Sequence, residues 1–121
     1  MRIILSGYEG HMGREVRASA ERRTDTEIVR GVDPAAESPE GICVKRFSDC
    51  EAEADVIIDF SHHALTRELL AFARERKLPL VLATTGQTEE EKALIQEAAK
   101  EIPLFLAANY SLGIAVLTDL V

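Results

Sequence analysis

The chain has 121 residues, enough for one domain with one hydrophobic core and too few for two. Its composition, 46% hydrophobic and 29% charged, is that of an ordinary globular protein, and no apolar run approaches the ~20 residues needed to span a bilayer. A formal charge of −7 with no Lys/Arg cluster argues against a nucleic-acid partner, which needs a basic footprint. It leaves room for a phosphate-bearing ligand held by backbone N–H groups and a helix dipole. The N-terminus has no charged-then-apolar signal segment, so a cytoplasmic location without membrane attachment is expected.

Strand-like and helix-like segments alternate along the chain. Arg2 to Ser6 (RIILS) is short, β-branched and nearly continuous, as a strand buried on both faces should be. Met12, Val16 and Ala20 then recur at steps of four, which predicts a helix. Thr26 to Asp33 is a second strand, Pro34 to Gly41 a loop, and Cys43 to Phe47 a short third strand. Val56 to Phe60 is the next strong strand, followed by a helix with Leu65, Leu69, Phe72 and Ala73 on its inner face. That helix ends in the basic run Arg74 to Lys77 before Pro79, charges and a stop signal suited to a helix C-terminus. Leu80 to Gly86 is a strand running into a polar turn. Thr88 and Glu91 then form a capping box, and Ile95, Ala98, Ala99 and Ile102 the inner face of a third helix. Leu104 to Ala107 supplies one more strand. The last residues start like a helix capped by Ser111 and stop on an uncapped apolar segment, which favours continuation into a longer protein. Regular alternation of this kind predicts an α/β fold, a single domain built on a doubly wound parallel sheet with helices on both faces.

In such sheets ligands bind outside the carboxyl ends of the strands. Small, polar or glycine residues stand at every one of those ends: Gly7 to Gly13, Asp33, Phe60-Ser61, Thr84-Thr85-Gly86 and Ala108 to Ser111. The opening glycines are spaced G-x-x-G-x-x-G. Gly7 allows a tight turn out of the strand, Gly10 leaves space where a pyrophosphate would meet a helix N-terminus, and Gly13 lets the helix pack closely. Asp33 ends the second strand, where a carboxylate can accept hydrogen bonds from adenosine-ribose hydroxyls and repel a 2′-phosphate. Pro34, Ala35, Ala36 and Glu37 follow it, with no adjacent cation, so the local sequence favours NADH over NADPH. Thr84 and Thr85 suit contact with the nicotinamide ribose or carboxamide, and the Asn109 amide suits the carboxamide as both donor and acceptor.

The remaining chemistry-bearing residues carry less. His11 lies in the glycine turn. His62 and His63 are adjacent and cannot share one helix face, so a helix-cap role is favoured over a metal site. Asp59, Ser61 and His62 fall short of a nucleophile triad because no nucleophile elbow accompanies them. Cys43 and Cys50 form no C-x-x-C pair and read as reduced thiols.

Four motifs, GYEGHMG, VIIDFS, ATTG and AANYSLG, occur in that order across the chain. Together they resemble the 4-hydroxy-tetrahydrodipicolinate reductase (dihydrodipicolinate reductase) family of lysine biosynthesis. The resemblance implies that residues 1–121 are a Rossmann-like, NAD(P)-binding N-terminal domain, truncated from a two-domain enzyme. Its cofactor contacts would map to Gly7, Tyr8, Glu9, Gly10, His11 and Met12, to Asp33, to Ala83, Thr84 and Thr85, and to Ala107, Ala108, Asn109 and Tyr110. Ala83 stands where the family usually has glycine, and His62-His63 departs from the proline-containing sequence expected after DFS. The resemblance further implies a cofactor of NADH or NADPH, a cyclic dicarboxylate substrate, and a homotetramer assembled through a second domain. Catalytic residues would lie in that later segment, so His62-His63 does not inherit a catalytic role and the chain alone would not catalyse. A stand-alone NAD(H)-binding or sensing module without catalysis, and a different two-domain dehydrogenase, remain alternatives.

Overall fold

The computed structural model describes residues 1–35, 42–84 and 86–106. Strands β1 (Arg2–Ser6), β2 (Glu27–Val32), β3 (Cys43–Val44), β4 (Val56–Asp59), β5 (Leu80–Leu82) and β6 (Leu104–Leu106) alternate with helices α1 (His11–Glu21), α2 (Thr66–Arg76) and α3 (Glu89–Ala98). The strands form one sheet in the order β3-β2-β1-β4-β5-β6, with every pairing parallel. That order reverses between β1 and β4, which makes the fold a Rossmann-like doubly wound sheet with its switch point at the glycine turn.

Strand periodicity sorts the core into two layers. Ile3 and Leu5 of β1, Val56 and Ile58 of β4 and Val81 of β5 share one face with Val16 of α1. Ile4, Ile57, Leu80 and Leu82 share the other with Leu69, Phe72 and Ala73 of α2 and Ile95 and Ala98 of α3. Successive side chains of a strand point to opposite faces, so strands that are apolar at every position can bury both. Leu106 and Phe105 of the edge strand β6 are the exception and remain exposed.

Several elements differ from expectation at their ends. In α1 the buried positions are Gly13, Val16 and Ala20, whereas Met12 is half-buried at the carboxyl edge of the sheet. The helix after β4 is preceded by a 3-10 turn, His63–Leu65, so Leu65 drops out of the inner face and Thr66 is buried in its place. The segment after Val44 leaves the sheet, and Phe47–Asp49 forms a 3-10 turn whose Phe47 ring packs on Phe72 at 5.2 Å. The strand at Leu80 ends at Leu82 rather than Gly86. Ala99 is exposed, and Ile102, past the end of α3, closes that side of the core. The segment from Ala107 onward, including the last-strand residue Ala107 and the helix expected after Ser111, lies outside the described residues. Both cysteines are buried and free.

Local signals set the helix ends. The Thr88 hydroxyl accepts from the Glu91 N–H at 3.1 Å, and the Glu91 carboxylate accepts from the Thr88 N–H at 2.8 Å. At the other end of α2, Lys77 takes the left-handed conformation (φ 55°), and the Lys77 and Leu78 N–H groups close onto the Arg74 and Ala73 carbonyls. Thr88→Ala removes an N-cap and is expected to lower stability by about 1 kcal/mol, read by urea denaturation.

Candidate functional site

The carboxyl edge of β1 opens into the glycine turn. Gly7 has φ +87°, and a methyl group there would sit 2.5 Å from the Phe60 carbonyl oxygen. A methyl group on Gly13 would sit 2.1 Å from the Gly7 carbonyl oxygen, so α1 approaches the turn more closely than any side chain permits. Gly10 differs. It is exposed, has an ordinary φ of −75°, and a methyl group on it would meet only the Gly7 oxygen at 3.5 Å. Packing explains Gly7 and Gly13 but not Gly10. Gly10 is also the N-cap of α1, with no side-chain cap and no acidic residue in the first turn. The first turn of α1 therefore presents its dipole and N–H groups at this edge, with no acidic residue of its own to satisfy them.

Asp33 stands beside this turn. Its Oδ2 accepts from the Glu9 N–H at 2.9 Å and its Oδ1 from the Ala35 N–H at 2.9 Å. A carboxylate has about four lone-pair directions, so each oxygen retains acceptor capacity. The predicted neighbourhood of Gly7 to Gly13 and Asp33 is thus formed. Tyr8 contributes differently from a side-chain contact at the edge. Its ring turns back over Gly31, where a methyl group would meet it at 2.2 Å, and carries the Arg17 guanidinium 4.1 Å from its centroid. Gly31 was not singled out from sequence, although a glycine inside a strand pattern is a mark of close approach.

On the other side of the turn lies a cleft of about 250 Å³, lined by Met12, Phe60, Ser61, His63, Ala83 and Thr84, among others. Its floor is organised by Asp59, a buried carboxylate at the end of β4. Asp59 accepts from the Ser61 hydroxyl at 2.5 Å, the Ser61 N–H at 3.2 Å and the Thr84 hydroxyl at 2.6 Å. Its carbonyl accepts from the Ala83 N–H at 3.0 Å. Burial raises the Asp59 carboxyl above its ordinary value, while the Ser61 and Thr84 hydroxyls pull the other way. Sequence reading weighed Asp59 only as part of a nucleophile triad. The sequence does carry a signal for it, an Asp closing an otherwise apolar strand with Ser two residues on, the pattern of an Asx turn.

The histidine pair serves turns. The His62 Nδ1 accepts from the Ala64 N–H at 3.1 Å, and the His63 Nδ1 lies 2.9 Å from Glu91 Oε1. The Thr88 N–H and then His63 hold the Glu91 carboxyl below its ordinary value. Among the described residues no group of three His, Cys, Asp or Glu converges as a metal site. His11 is exposed at the first position of α1. Cys43 is pushed up to about 11 by burial, then by the nearby charges of Glu9 and Asp33. Thr85 and Ala107, Ala108, Asn109 and Tyr110 lie outside the described residues.

A third feature was invisible in the linear sequence. The Asp33 N–H donates to the Val44 carbonyl at 2.9 Å, so β3 delivers Lys45 to a position alongside Asp33. Lys45 and Arg46 line one wall of a groove of about 750 Å³ that reaches Pro34, with Glu68 and Glu75 of α2 also lining it. This groove is the larger of the two spaces, but the smaller cleft holds the convergent polar groups of the sheet edge.

The family model described as dihydrodipicolinate reductase, N-terminus, matches residues 1–110. The chain belongs to that family. Among its relatives, a 4-hydroxy-tetrahydrodipicolinate reductase from Caldanaerobacter subterraneus subsp. tengcongensis is 43% identical over 121 residues, covering 100% of this chain and 48% of the relative. One of the same name from Clostridium tetani is 41% identical, covering 99% and 48%. The chain therefore spans about half the length of the curated relatives it matches. A dipicolinate-bound dihydrodipicolinate reductase from Paenisporosarcina sp. TG-14 shares the fold, with a TM-score of 0.75, 17% identity, and 99% of this chain and 51% of that one covered. A myo-inositol dehydrogenase from Corynebacterium glutamicum does so with a TM-score of 0.67 and 23% identity, covering 87% and 35%.

Two expected outcomes follow from the site geometry. Gly13→Ala should destabilise the protein by about 1–3 kcal/mol through overpacking, whereas Gly10→Ala should change stability by no more than about 0.5 kcal/mol and act on ligand affinity instead. Paired denaturation and binding measurements separate the two. The second concerns pH. With its folded pKa above the unfolded value, Asp59 holds its proton more tightly in the native state. Its contribution then declines as pH rises from the ordinary carboxylate value of about 4 through the raised one. Asp55, held low by the Arg2 N–H, and Glu91 act in the opposite sense and at lower pH. Denaturation curves of Asp59→Asn across this range should lose the fall seen above pH ~4 in the parent protein.

Proposed function

We propose that this chain is the cofactor-binding part of a two-domain, NAD(P)H-dependent reductase of the lysine (diaminopimelate) pathway. The whole enzyme would reduce 4-hydroxy-tetrahydrodipicolinate to tetrahydrodipicolinate. Family membership over residues 1–110 supports the reaction class. The observation that carries the cofactor assignment is Gly10, a glycine that neither backbone conformation nor packing requires, at the uncapped N-terminus of α1. A dinucleotide pyrophosphate is the group whose size and charge account for that bare position.

Each residue then has a defined task. The N–H groups of His11 and Met12 face the phosphates, and Gly10 keeps the approach open. Asp33 accepts from the adenosine-ribose hydroxyls. Ala83 and Thr84, with Thr85 and Ala107 to Tyr110 by resemblance, bind the nicotinamide side. When bound, the dihydronicotinamide supplies the hydride. Substrate binding and proton donation are assigned to a second domain outside this chain, through which the whole enzyme assembles as a homotetramer in the cytoplasm.

Asp33 favours NADH. A second reading, in which NADPH is also accepted, is favoured by Lys45 and Arg46. They reach the groove beside Pro34 and offer the cations that the residues directly after Asp33 lack. Calorimetric titration with NADH and, separately, NADPH tests both. Saturable NADH binding that weakens roughly tenfold in Asp33→Ala supports the assignment. Loss of NADPH binding in the Lys45→Ala, Arg46→Ala double variant supports the second reading. Absence of binding to either dinucleotide overturns the cofactor role.

A further inference from the structure

The hydroxyls of Ser61 and Thr84 have their hydrogen-bond polarity set from behind. Both residues are half-buried and line the cleft on the β4 side of the glycine turn. Both hydroxyls donate to Asp59, at 2.5 and 2.6 Å. A hydroxyl has one proton and two lone pairs. With the proton committed to a carboxylate, what remains for the cleft is lone pairs. The Ser61 N–H also points at Asp59, at 3.2 Å, so three donors converge on one buried carboxylate. Charge-assisted bonds of this kind are stronger than neutral ones and hold their partners in one orientation.

The sheet order decides which part of a dinucleotide meets this cleft. β2 and β4 lie on opposite sides of β1, so Asp33 and Asp59 flank the glycine turn, roughly two strand spacings or ~10 Å apart. If Asp33 takes the adenosine ribose and the turn takes the pyrophosphate, the far half of the ligand lies on the Asp59 side. That half, a nicotinamide riboside, is rich in donors: two ribose hydroxyls and a carboxamide NH2.

We propose that Asp59 is a positioning residue that locks the Ser61 and Thr84 hydroxyls as acceptors, so that the cleft selects the donor groups of the nicotinamide riboside. The inference rests on the cofactor reading above and adds to it the residue that orients the nicotinamide half. Asp59 itself touches no ligand. In Asp59→Asn the new amide brings two donors to this position, and where it donates to the Ser61 or Thr84 oxygen that hydroxyl loses its acceptor. The proton of that hydroxyl is then turned into the cleft, where it opposes a ligand donor.

The test compares NADH with ADP, which carries the adenosine and pyrophosphate but lacks the nicotinamide riboside, by calorimetric titration of the protein. Asp59→Asn should weaken NADH roughly tenfold and leave ADP within about twofold of the parent value. Thr84→Val, which removes a hydroxyl while keeping the shape, should give the same split and carries the test if Asp59→Asn does not fold. Equal losses for NADH and ADP would mean that Asp59 only supports the local structure and would overturn the proposal, as would unchanged NADH affinity in both variants. A parent protein that binds neither NADH nor ADP would instead overturn the cofactor reading itself, and this inference with it.

Discussion

The close approach of α1 to the turn before it governs the geometry of the whole edge. The Gly13 Cα lies against the Gly7 carbonyl with no space for a side chain, and Gly7 can fold back under it only because its φ is positive. This contact aims the first turn of α1 at the carboxyl end of the sheet. It also leaves Gly10 at the tip, free of packing demands. A helix docked farther away would bury Val16 less well and present its N-terminus to solvent beyond the sheet rather than above the switch point. Core packing and site geometry thus depend on one contact, and the same glycines serve both.

Around that contact two carboxylates do opposite things. Asp33 is partly exposed and, among the described residues, is bonded to the backbone N–H groups of Glu9 and Ala35, one on each oxygen, so it keeps acceptor capacity. Asp59 is buried and bonded mainly by hydroxyls, so its capacity is used internally. The cost of holding a carboxylate in the core is offset by three donors, and what the protein gains is a rigid link between the loops after β4 and β5. The His63–Glu91 pair links the same loop to the capping box of α3. The far wall of the cleft is therefore tied together from two directions by polar contacts, while the near wall is set by glycine packing.

On the proposed cofactor reading, Lys45 and Arg46 would let cofactor selectivity escape a local rule. Selectivity at the second strand is usually sought in the residues that follow its acid. Here the neighbouring strand in the sheet leads into two cations that line the groove reaching Pro34, because Val44 pairs with Val32 and its carbonyl takes the Asp33 N–H.

Much was legible from sequence alone. Alternation of apolar strands with helical periodicity placed all six strands and three helices, because each signal is local: period 2 or 3.6, a cap, a glycine or a basic last turn. The positions of Gly7 and Asp33 after strand ends, and of Gly13 in the first turn of the helix that follows, came from the same pattern. Tertiary structure alone decided the partners. Tyr8 over Gly31, Asp59 with Thr84, His63 with Glu91 and Asp33 with the Val44 carbonyl are separated by 11 to 28 positions in the sequence and meet only through sheet register and crossover geometry. It also decided which glycine is spare. Three evenly spaced glycines look alike in a sequence, and only the packed backbone around them distinguishes the two required by the fold from the one that packing leaves free.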